Sequence, residues 1–93
     1  MHAVIVRVTI DAGRGDEATK TLHTEVVPMA KSSEGFVRGL WLRSSDGDTG
    51  RGVIVFDSEE HARAAAERAA TETVAGRPVK FESVEVVEVV AEA

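Results

Sequence analysis

Cysteine, tyrosine, asparagine and glutamine are all absent from this chain of 93 residues. Without cysteine the protein has no disulfide, no thiolate chemistry and no cysteine-based zinc site, which fits a reducing, cytoplasmic compartment. Because serine and threonine hydroxyls need an activating partner, an acid or base has to be a carboxylate, a lysine or one of His2, His23 and His61. The composition therefore offers few polar groups for catalysis.

Long apolar runs are missing as well. No run approaches the ~20 residues of a membrane span, and the N-terminus has no basic region followed by a long apolar core. We therefore expect no membrane partner and no processed leader. The length predicts a single domain, residues 1–93, and a chain of this size buries only about 60–65% of its unfolded surface, so a partner surface would add stability.

Basic residues are outnumbered, with 11 Lys and Arg against 16 Asp and Glu and a formal charge of -5. Such a balance repels phosphate backbones, so we expect no nucleic-acid partner. Arg38, Arg43 and Arg51 flank a turn-forming segment. Asp46 and Asp48 lie in that segment and offset the field of the arginines. A solvated rim is therefore the preferred interpretation of these charges.

The first strand is predicted over His2 to Asp11, where apolar residues alternate, and Gly13 and Gly15 end it. We assign its even-numbered apolar residues to the side that faces the helices: Val4, Val6, Val8 and Ile10. The opposite face carries Arg7 and Thr9 among small or apolar neighbours, as expected for a surface that a partner or a ligand partly covers.

A helix is predicted from Asp16, its N-cap, to about Ser32. Its buried stripe is expected to comprise Ala18, Leu22, Val26 and Met29, with Ala30 or Ser33 completing it. Pro28 falls inside this pattern, and a proline removes a backbone donor and clashes with the preceding turn at a cost of ~3 kcal/mol. We therefore expect a kinked helix, distorted between residues 24 and 27.

A hairpin and a second helix follow. Phe36 to Arg43 and Gly52 to Asp57 are predicted strands, and Ser44 to Gly50 is the turn between them. Asp57 is expected to cap the second helix, with Glu60 completing a capping box. The buried stripe of that helix is predicted to consist of Ala62, Ala65, Ala66 and Ala69.

The last strand is predicted from Val79 to Val90, after a helix stop at Gly76-Arg77-Pro78. Doubled valines at Val86-Val87 and Val89-Val90 indicate either a bulge or a strand with apolar residues on both faces. The element order predicts an α+β, ferredoxin-like βαββαβ fold, with a four-stranded antiparallel sheet that carries both helices on one face. The other face is left bare.

Four short segments carry a resemblance to a known family: Val26-Val27-Pro28, Gly35-Phe36, Gly39 to Leu42 and Val55 to Glu60. Together with the element order, they resemble the antibiotic-biosynthesis-monooxygenase-like superfamily of dimeric α+β barrels. The resemblance implies a homodimer in which two sheets meet face to face, with Val84 to Val90 tying the subunits together. Activities in that superfamily differ widely and include cofactor-independent oxygenation and haem degradation.

Two functions follow from the resemblance. The first is cofactor-independent monooxygenation of a phenolic or quinone-like small molecule. The second is a noncatalytic module for small-molecule binding or assembly, which the scarcity of polar side chains favours. Haem degradation in this superfamily depends on an Asn, a Trp and a His, and the absence of asparagine leaves that set incomplete.

The candidate site residues are few. Trp41, the only tryptophan, shares a strand face with Gly39 and Arg43, and a missing side chain beside a large flat one can shape a cavity wall. A core or interface anchor is the alternative. His23 is expected either in water or in the cavity of the resembled fold.

In the oxygenation hypothesis His23 or His61 takes a phenolic proton, Arg38 or Arg43 stabilises the anion, and Trp41 stacks on the ring. His61 is expected in the first turn of a helix, where the helix dipole would lower its pKa and favour a neutral imidazole. A surface histidine beside Glu60 is the alternative.

No cofactor or metal is expected. Residues 13–18 match the dinucleotide pattern G-x-G-x-x-A, but the chain is too short for a doubly wound sheet, and Asp16 and Glu17 would repel a pyrophosphate. His2, His23 and His61 do not have the spacing of metal ligands on one helix.

Overall fold

The computed structural model describes residues 1–71 and 77–93. Its strands are β1 (His2–Ile10), β2 (Phe36–Arg43), β3 (Thr49–Phe56) and β4 (Val79–Glu88). Its helical segments are α1 (Gly15–Thr21), a π-helical segment (Leu22–Val26), α2 (Val27–Lys31) and α3 (Glu59–Thr71). The strands form one antiparallel sheet in the order β2-β3-β1-β4. The predicted α+β, ferredoxin-like fold and its hairpin are confirmed; the predicted stop residue Gly76 lies outside the described residues.

The core lies between the sheet and α3. Phe56 is 1% exposed and meets Phe36 edge to face, with ring centroids 6.4 Å apart. The helix contributes Ala62 and Ala66, both buried, so that its backbone comes close to the strands. Val4 is buried in this core, which confirms that the even-numbered residues of β1 face the helices. The small side chains of α3 thus allow close packing between this helix and the sheet.

The continuous helix formed by α1, the π-helical segment and α2, residues 15–31, is called the first helix here, and it packs less closely against the sheet than α3 does. Of its predicted stripe only Ala18 is buried, whereas Leu22 and Val26 are half-buried and Met29 is 39% exposed. The predicted stripe is therefore fully buried only at Ala18, although Ala30 packs against the core. The reason is that these larger side chains stand over an open space instead of reaching the sheet.

Pro28 is accommodated by a change of helix type. It lies in the first turn of α2, directly after the π-helical segment, and the backbone stays helical from Gly15 to Lys31. A π-turn widens the helix by one residue, which relieves the clash between the proline ring and the preceding turn. The predicted distortion is therefore present as a wide turn, without a break.

Both predicted N-caps are wrong. The first helix begins at Gly15 with Arg14 at the N-cap position and no side-chain cap, so Asp16 lies inside the first turn. At α3 the cap is Ser58, whose Oγ accepts a hydrogen bond from the backbone N–H of His61 at 3.2 Å. Serine directly before the helix satisfies this donor, which leaves the carboxylate of Asp57 available to a side chain.

The last strand ends earlier than predicted, at Glu88. Its register against β1 shifts between Arg7 and Val8, so the bulge lies near residue 82 and not at the doubled valines. Val86 packs against the core, and Val87, the next residue along the strand, points to the opposite face. The first doublet therefore reflects apolar residues on both faces of β4.

His61 ties α3 to the start of β2. Its Nδ1 lies 2.6 Å from Oδ1 of Asp57, and its Nε2 lies 3.5 Å from Oε1 of Glu34. Gly35, at φ +81°, passes directly beneath the imidazole, where a Cβ would overlap the ring. The hydrogen bond to Asp57 raises the pKa of His61, and the same bond lowers the pKa of Asp57. The expectation of a lowered pKa at His61 is wrong, because the adjacent carboxylate outweighs the helix dipole.

This pair predicts a pH-dependent stability. A raised His61 pKa stabilises the fold below the unfolded value of about 6.5, and the effect is lost as pH rises through the folded pKa. A lowered Asp57 pKa stabilises the fold above about 3.9, and that effect is lost as pH falls through the folded pKa. The difference in Tm between wild type and His61→Gln should therefore be largest between about pH 4 and 6.5.

Thermal unfolding followed by circular dichroism over a pH series measures this difference. His23→Gln is the matched control, because His23 is exposed and the described residues give it no ion pair. A His61→Gln difference that stays constant from acidic to alkaline pH would contradict the prediction.

Candidate functional site

A cleft of about 630 Å³ lies between the helical segments and the helix-facing side of the sheet. Its floor is low because three residues on this face of β2 and β3 have no side chain: Gly39, Gly50 and Gly52. The wall opposite the sheet is formed by the first helix, residues 15–31, which contributes Leu22 and Val26. The space therefore has two causes: the strands carry glycines on this face, and the first helix stands away from the sheet.

Trp41 forms the floor of the cleft. A Cβ on Gly39 would lie 2.7 Å from Cη2 of the indole, and a Cβ on Gly52 would lie 3.3 Å from its Cδ1 and Nε1. The ring therefore extends along the sheet from one glycine to the other, and Trp41 is half-buried. A side chain at either glycine would push the indole towards the helices and into the cleft.

The polar lining of the cleft is sparse. Nη2 of Arg68 donates a hydrogen bond to Oγ of Ser33 at 3.0 Å, so that α3 is connected to the loop after α2. That hydroxyl donates in turn to the backbone oxygen of Met29 at 3.1 Å. His23 is exposed on the lining, and Arg77 lies at the end near β4.

The cleft brings together three of the predicted site residues and leaves out two. Trp41, Arg43 and His23 all line it. The guanidinium of Arg43, however, approaches Gly15, and its Nε is 3.4 Å from the backbone oxygen of Gly47, so the group is directed towards the β2–β3 turn. Arg38 lies on the opposite face of β2, and His61 is held outside the cleft by Asp57.

Two residues of the cleft, Gly52 and Arg68, were not among the predicted site residues, and Ser33 was predicted only as a possible member of a buried helix stripe. Gly52 becomes informative only once the hairpin register places it opposite Trp41. Arg68 follows Ala65 by three residues and so shares its helix face, which is a signal that the sequence did contain. Ser33 follows Met29 by four residues, and helical spacing places the two on one face.

Residues 1–71 and 77–93 contain neither a metal-binding cluster nor a membrane-spanning helix. No group of three or more His, Asp or Glu side chains converges there in a way that could hold a metal ion. Within the same residues, no helix has the length and apolar character needed to cross a membrane.

No family model matches the chain, and no curated protein matches its sequence. Solved structures do match. The heme-degrader MhuD from Mycobacterium tuberculosis, with two hemes bound in its active site, is 23% identical with a TM-score of 0.76, and the match covers 100% of this chain and 99% of that protein.

Two oxygenases have the same architecture. A monooxygenase from Streptomyces coelicolor, in complex with nanaomycin D, is 18% identical with a TM-score of 0.65 and coverage of 92% and 82%. SnoaB, a cofactor-independent oxygenase from Streptomyces nogalater, is 16% identical with a TM-score of 0.65 and coverage of 98% and 95%. The resemblance predicted from the sequence is confirmed at the level of the fold: the chain has the fold of the antibiotic-biosynthesis-monooxygenase-like superfamily.

Proposed function

We propose that this protein binds a flat, mainly apolar aromatic molecule in the cleft. The observation that carries the proposal is the indole of Trp41 lying along the floor of an apolar space of about 630 Å³. Small-molecule sites usually enclose about 300–1,000 Å³, with apolar walls and a few polar groups that fix orientation. An indole held flat against the sheet offers its free face for stacking.

The structural neighbours support a ligand of this kind. MhuD holds two hemes, which are flat and conjugated, and the Streptomyces coelicolor monooxygenase holds nanaomycin D. Within this fold, ligands with several rings are therefore accommodated. In the present chain the cleft is lined mainly by apolar side chains and by Trp41, which favour ring stacking over a network of hydrogen bonds.

Trp41 reports on binding directly, because the chain has no second tryptophan and no tyrosine. Titration with 1,8-dihydroxyanthrone or with hemin should quench its fluorescence in a saturable manner. By calorimetry, Trp41→Ala should weaken binding about tenfold, since aromatic pairs contribute roughly 0.5–1.5 kcal/mol beyond burial and the buried area is lost as well.

Trp41→Phe is the matched control and should retain most of the affinity, because it keeps a ring on the floor. Free N-acetyltryptophanamide corrects the quenching for absorption by the ligand. Binding that is absent for both probes, or unchanged in Trp41→Ala, would overturn the proposal.

A second function is favoured by the position of His23 on the cleft lining with Trp41. We propose that the protein oxygenates a phenolic or quinone-like substrate without a cofactor. The imidazole of His23 would take a proton from the substrate, and the resulting anion would react with O₂ to form a carbon–oxygen bond as a hydroperoxide. Loss of water from the hydroperoxide leaves a quinone, so one oxygen atom enters the product and the other leaves as water. Arg38 and His61 have no part in this scheme.

For 1,8-dihydroxyanthrone the oxygenation hypothesis predicts formation of the anthraquinone with uptake of one O₂ per molecule. His23→Ala should lower kcat by about 10²-fold or more, as expected for removal of a general base, while binding persists. His61→Gln is the matched control, since His61 lies outside the cleft. Absorbance of the product and an oxygen electrode measure the rate. A wild type that binds the anthrone without converting it would leave the noncatalytic binding module as the function.

We also propose that the protein is a homodimer that pairs through the bare face of the sheet. Leu40 is 62% exposed and Leu42 is 51% exposed on this face, and Ile5 and Val53 extend the apolar surface across β1 and β3. A second copy would remove this contiguous apolar surface from water. Val90, 86% exposed beyond the end of β4, is placed to contact that copy.

Leu40→Asp should convert the dimer to a monomer, because a carboxylate would be buried without a partner at the centre of the interface. Light scattering coupled to size-exclusion chromatography over a dilution series measures the mass. Ala64→Asp is the control, since it places the same charge on the exposed side of α3. A folded wild type that is monomeric at every concentration would contradict the proposal.

A further inference from the structure

Two arginines stand directly opposite each other on the bare face of the sheet. Arg7 of β1 and Arg51 of β3 are partners in the antiparallel register. Both neighbours of Arg7 along β1 line the cleft, so the side chain of Arg7 points to the other face. Arg51 lies between Gly50 and Gly52, on which a Cβ would point to the helix side, so its side chain also points to the bare face and its backbone borders the cleft.

The two positive charges of this pair are not neutralised within the described part of the chain. Across residues 1–71 and 77–93, neither Arg7 nor Arg51 has an ion pair or a side-chain hydrogen bond. Residues directly opposite in a sheet have Cβ atoms only about 4.5–5.5 Å apart, and like charges at such positions are destabilising. A counter-charge at this position would therefore stabilise the sheet.

The carboxylates of this face lie at its β4 edge. Glu85 is one same-face row away from Arg7, and Glu82 accepts a hydrogen bond from Oγ1 of Thr9 at 2.8 Å. The same-face neighbours of Arg51 across β2 and along β3 are apolar or carry a hydroxyl: Leu42, Val53 and Thr49. Arg51 thus has no carboxylate among these neighbours.

The proposed homodimer would make the repulsion between the two arginines stronger. Leu42, the partner of Arg51 on β2, belongs to the exposed apolar surface that a second copy would cover. Covering this surface would also remove water from around the arginines, and the repulsion between like charges grows as the effective dielectric constant falls. Because a buried charge is costly unless it is paired, the interface needs an anion at this position.

The chemistry of the pair indicates which anion fits. Guanidinium groups donate parallel hydrogen bonds to the oxygens of phosphate-type anions, and a dianion with several oxygens can accept from two of them at once. Ser83, the partner of Arg7 on β4, adds a hydroxyl beside the pair. We propose that Arg7 and Arg51 together bind a phosphate-type oxyanion on the bare face, and that this anion strengthens the homodimer. The inference rests on the proposed homodimer and adds the ligand that its interface takes up.

The test is the dissociation constant of the homodimer, measured by sedimentation equilibrium over a dilution series in inorganic phosphate and in chloride at the same pH and ionic strength. Equal ionic strength keeps general screening the same in both salts. For wild type the constant should be about fivefold or more lower in phosphate, because an anion that binds the dimer better than the monomer shifts the equilibrium by mass action.

Arg51→Met should abolish this difference and should also lower the dissociation constant in chloride, because it keeps an apolar side chain and removes the repulsion with Arg7. Arg7→Met removes the other member of the pair and should act in the same way. Arg51→Lys should retain part of the phosphate effect, because the charge remains and the planar fork is lost.

Arg38→Met is the matched control, since Arg38 lies on the same face but is opposite Val55. It should keep the full phosphate effect. General salting-out by phosphate would persist in every variant, so the loss in Arg51→Met relative to Arg38→Met measures the site itself. Equal constants for wild type in the two salts, or a difference that survives in full in Arg51→Met, would overturn the inference.

A carboxylate of the second copy is the other source of the same chemistry, and Glu85 at the β4 edge would supply it. If Glu85→Gln weakens the dimer in chloride and phosphate has no effect on wild type, the second copy fills the site and the free oxyanion is excluded.

The homodimer and the anion site fail separately. A wild-type dimer with equal dissociation constants in both salts loses only the anion site. A wild type that is monomeric in both salts at every concentration loses the homodimer, and the inference falls with it.

Discussion

The close contact of Trp41 with two strand glycines is the constraint on which the rest of the site depends. Gly39 precedes the tryptophan by two residues on the same face, and Gly52 is its partner across the hairpin. Because neither has a Cβ, the indole lies at the level of the sheet instead of rising towards the helices. A core with ordinary side chains at these positions would fill the space, and the fold would keep its topology without a cleft.

The two helices, Gly15–Lys31 and Glu59–Thr71, pack to different depths against the same face of the sheet. Alanines on α3 let that helix approach β1, β3 and β4 and form the dry core around Phe56. The first helix carries longer side chains, contains a π-turn before Pro28 and stays away from the sheet. A chain of this size has little apolar surface to bury, so leaving one helix partly unpacked costs a notable share of its stability. A bound ligand on that side would restore the missing contacts.

The sequence predicted the strands, the hairpin and the helix-facing side of β1, because alternation is a local property. The sequence also contained evidence that Arg38 does not line the cleft. Arg38 is three residues before Trp41 in β2, and strand alternation places the two side chains on opposite faces of the sheet. The direction of the pKa shift of His61 was predicted wrongly, because Asp57 was assigned as the helix cap. Ser58 caps the helix instead, and Asp57 bonds to the imidazole of His61. The pairing of Gly52 with Trp41 depends on register across the hairpin, which no local pattern specifies.

Alternation along β2 also separates the two surfaces of the sheet. Trp41 faces the cleft, and Leu40, its neighbour in the chain, faces the side where a second copy is proposed to pack. The side chains of Trp41 and Leu40 point to opposite faces of the sheet, so a substitution at one acts on the other through the shared backbone. The proposed ligand on Trp41 and the proposed second copy on Leu40 would therefore contact different side chains of the same strand.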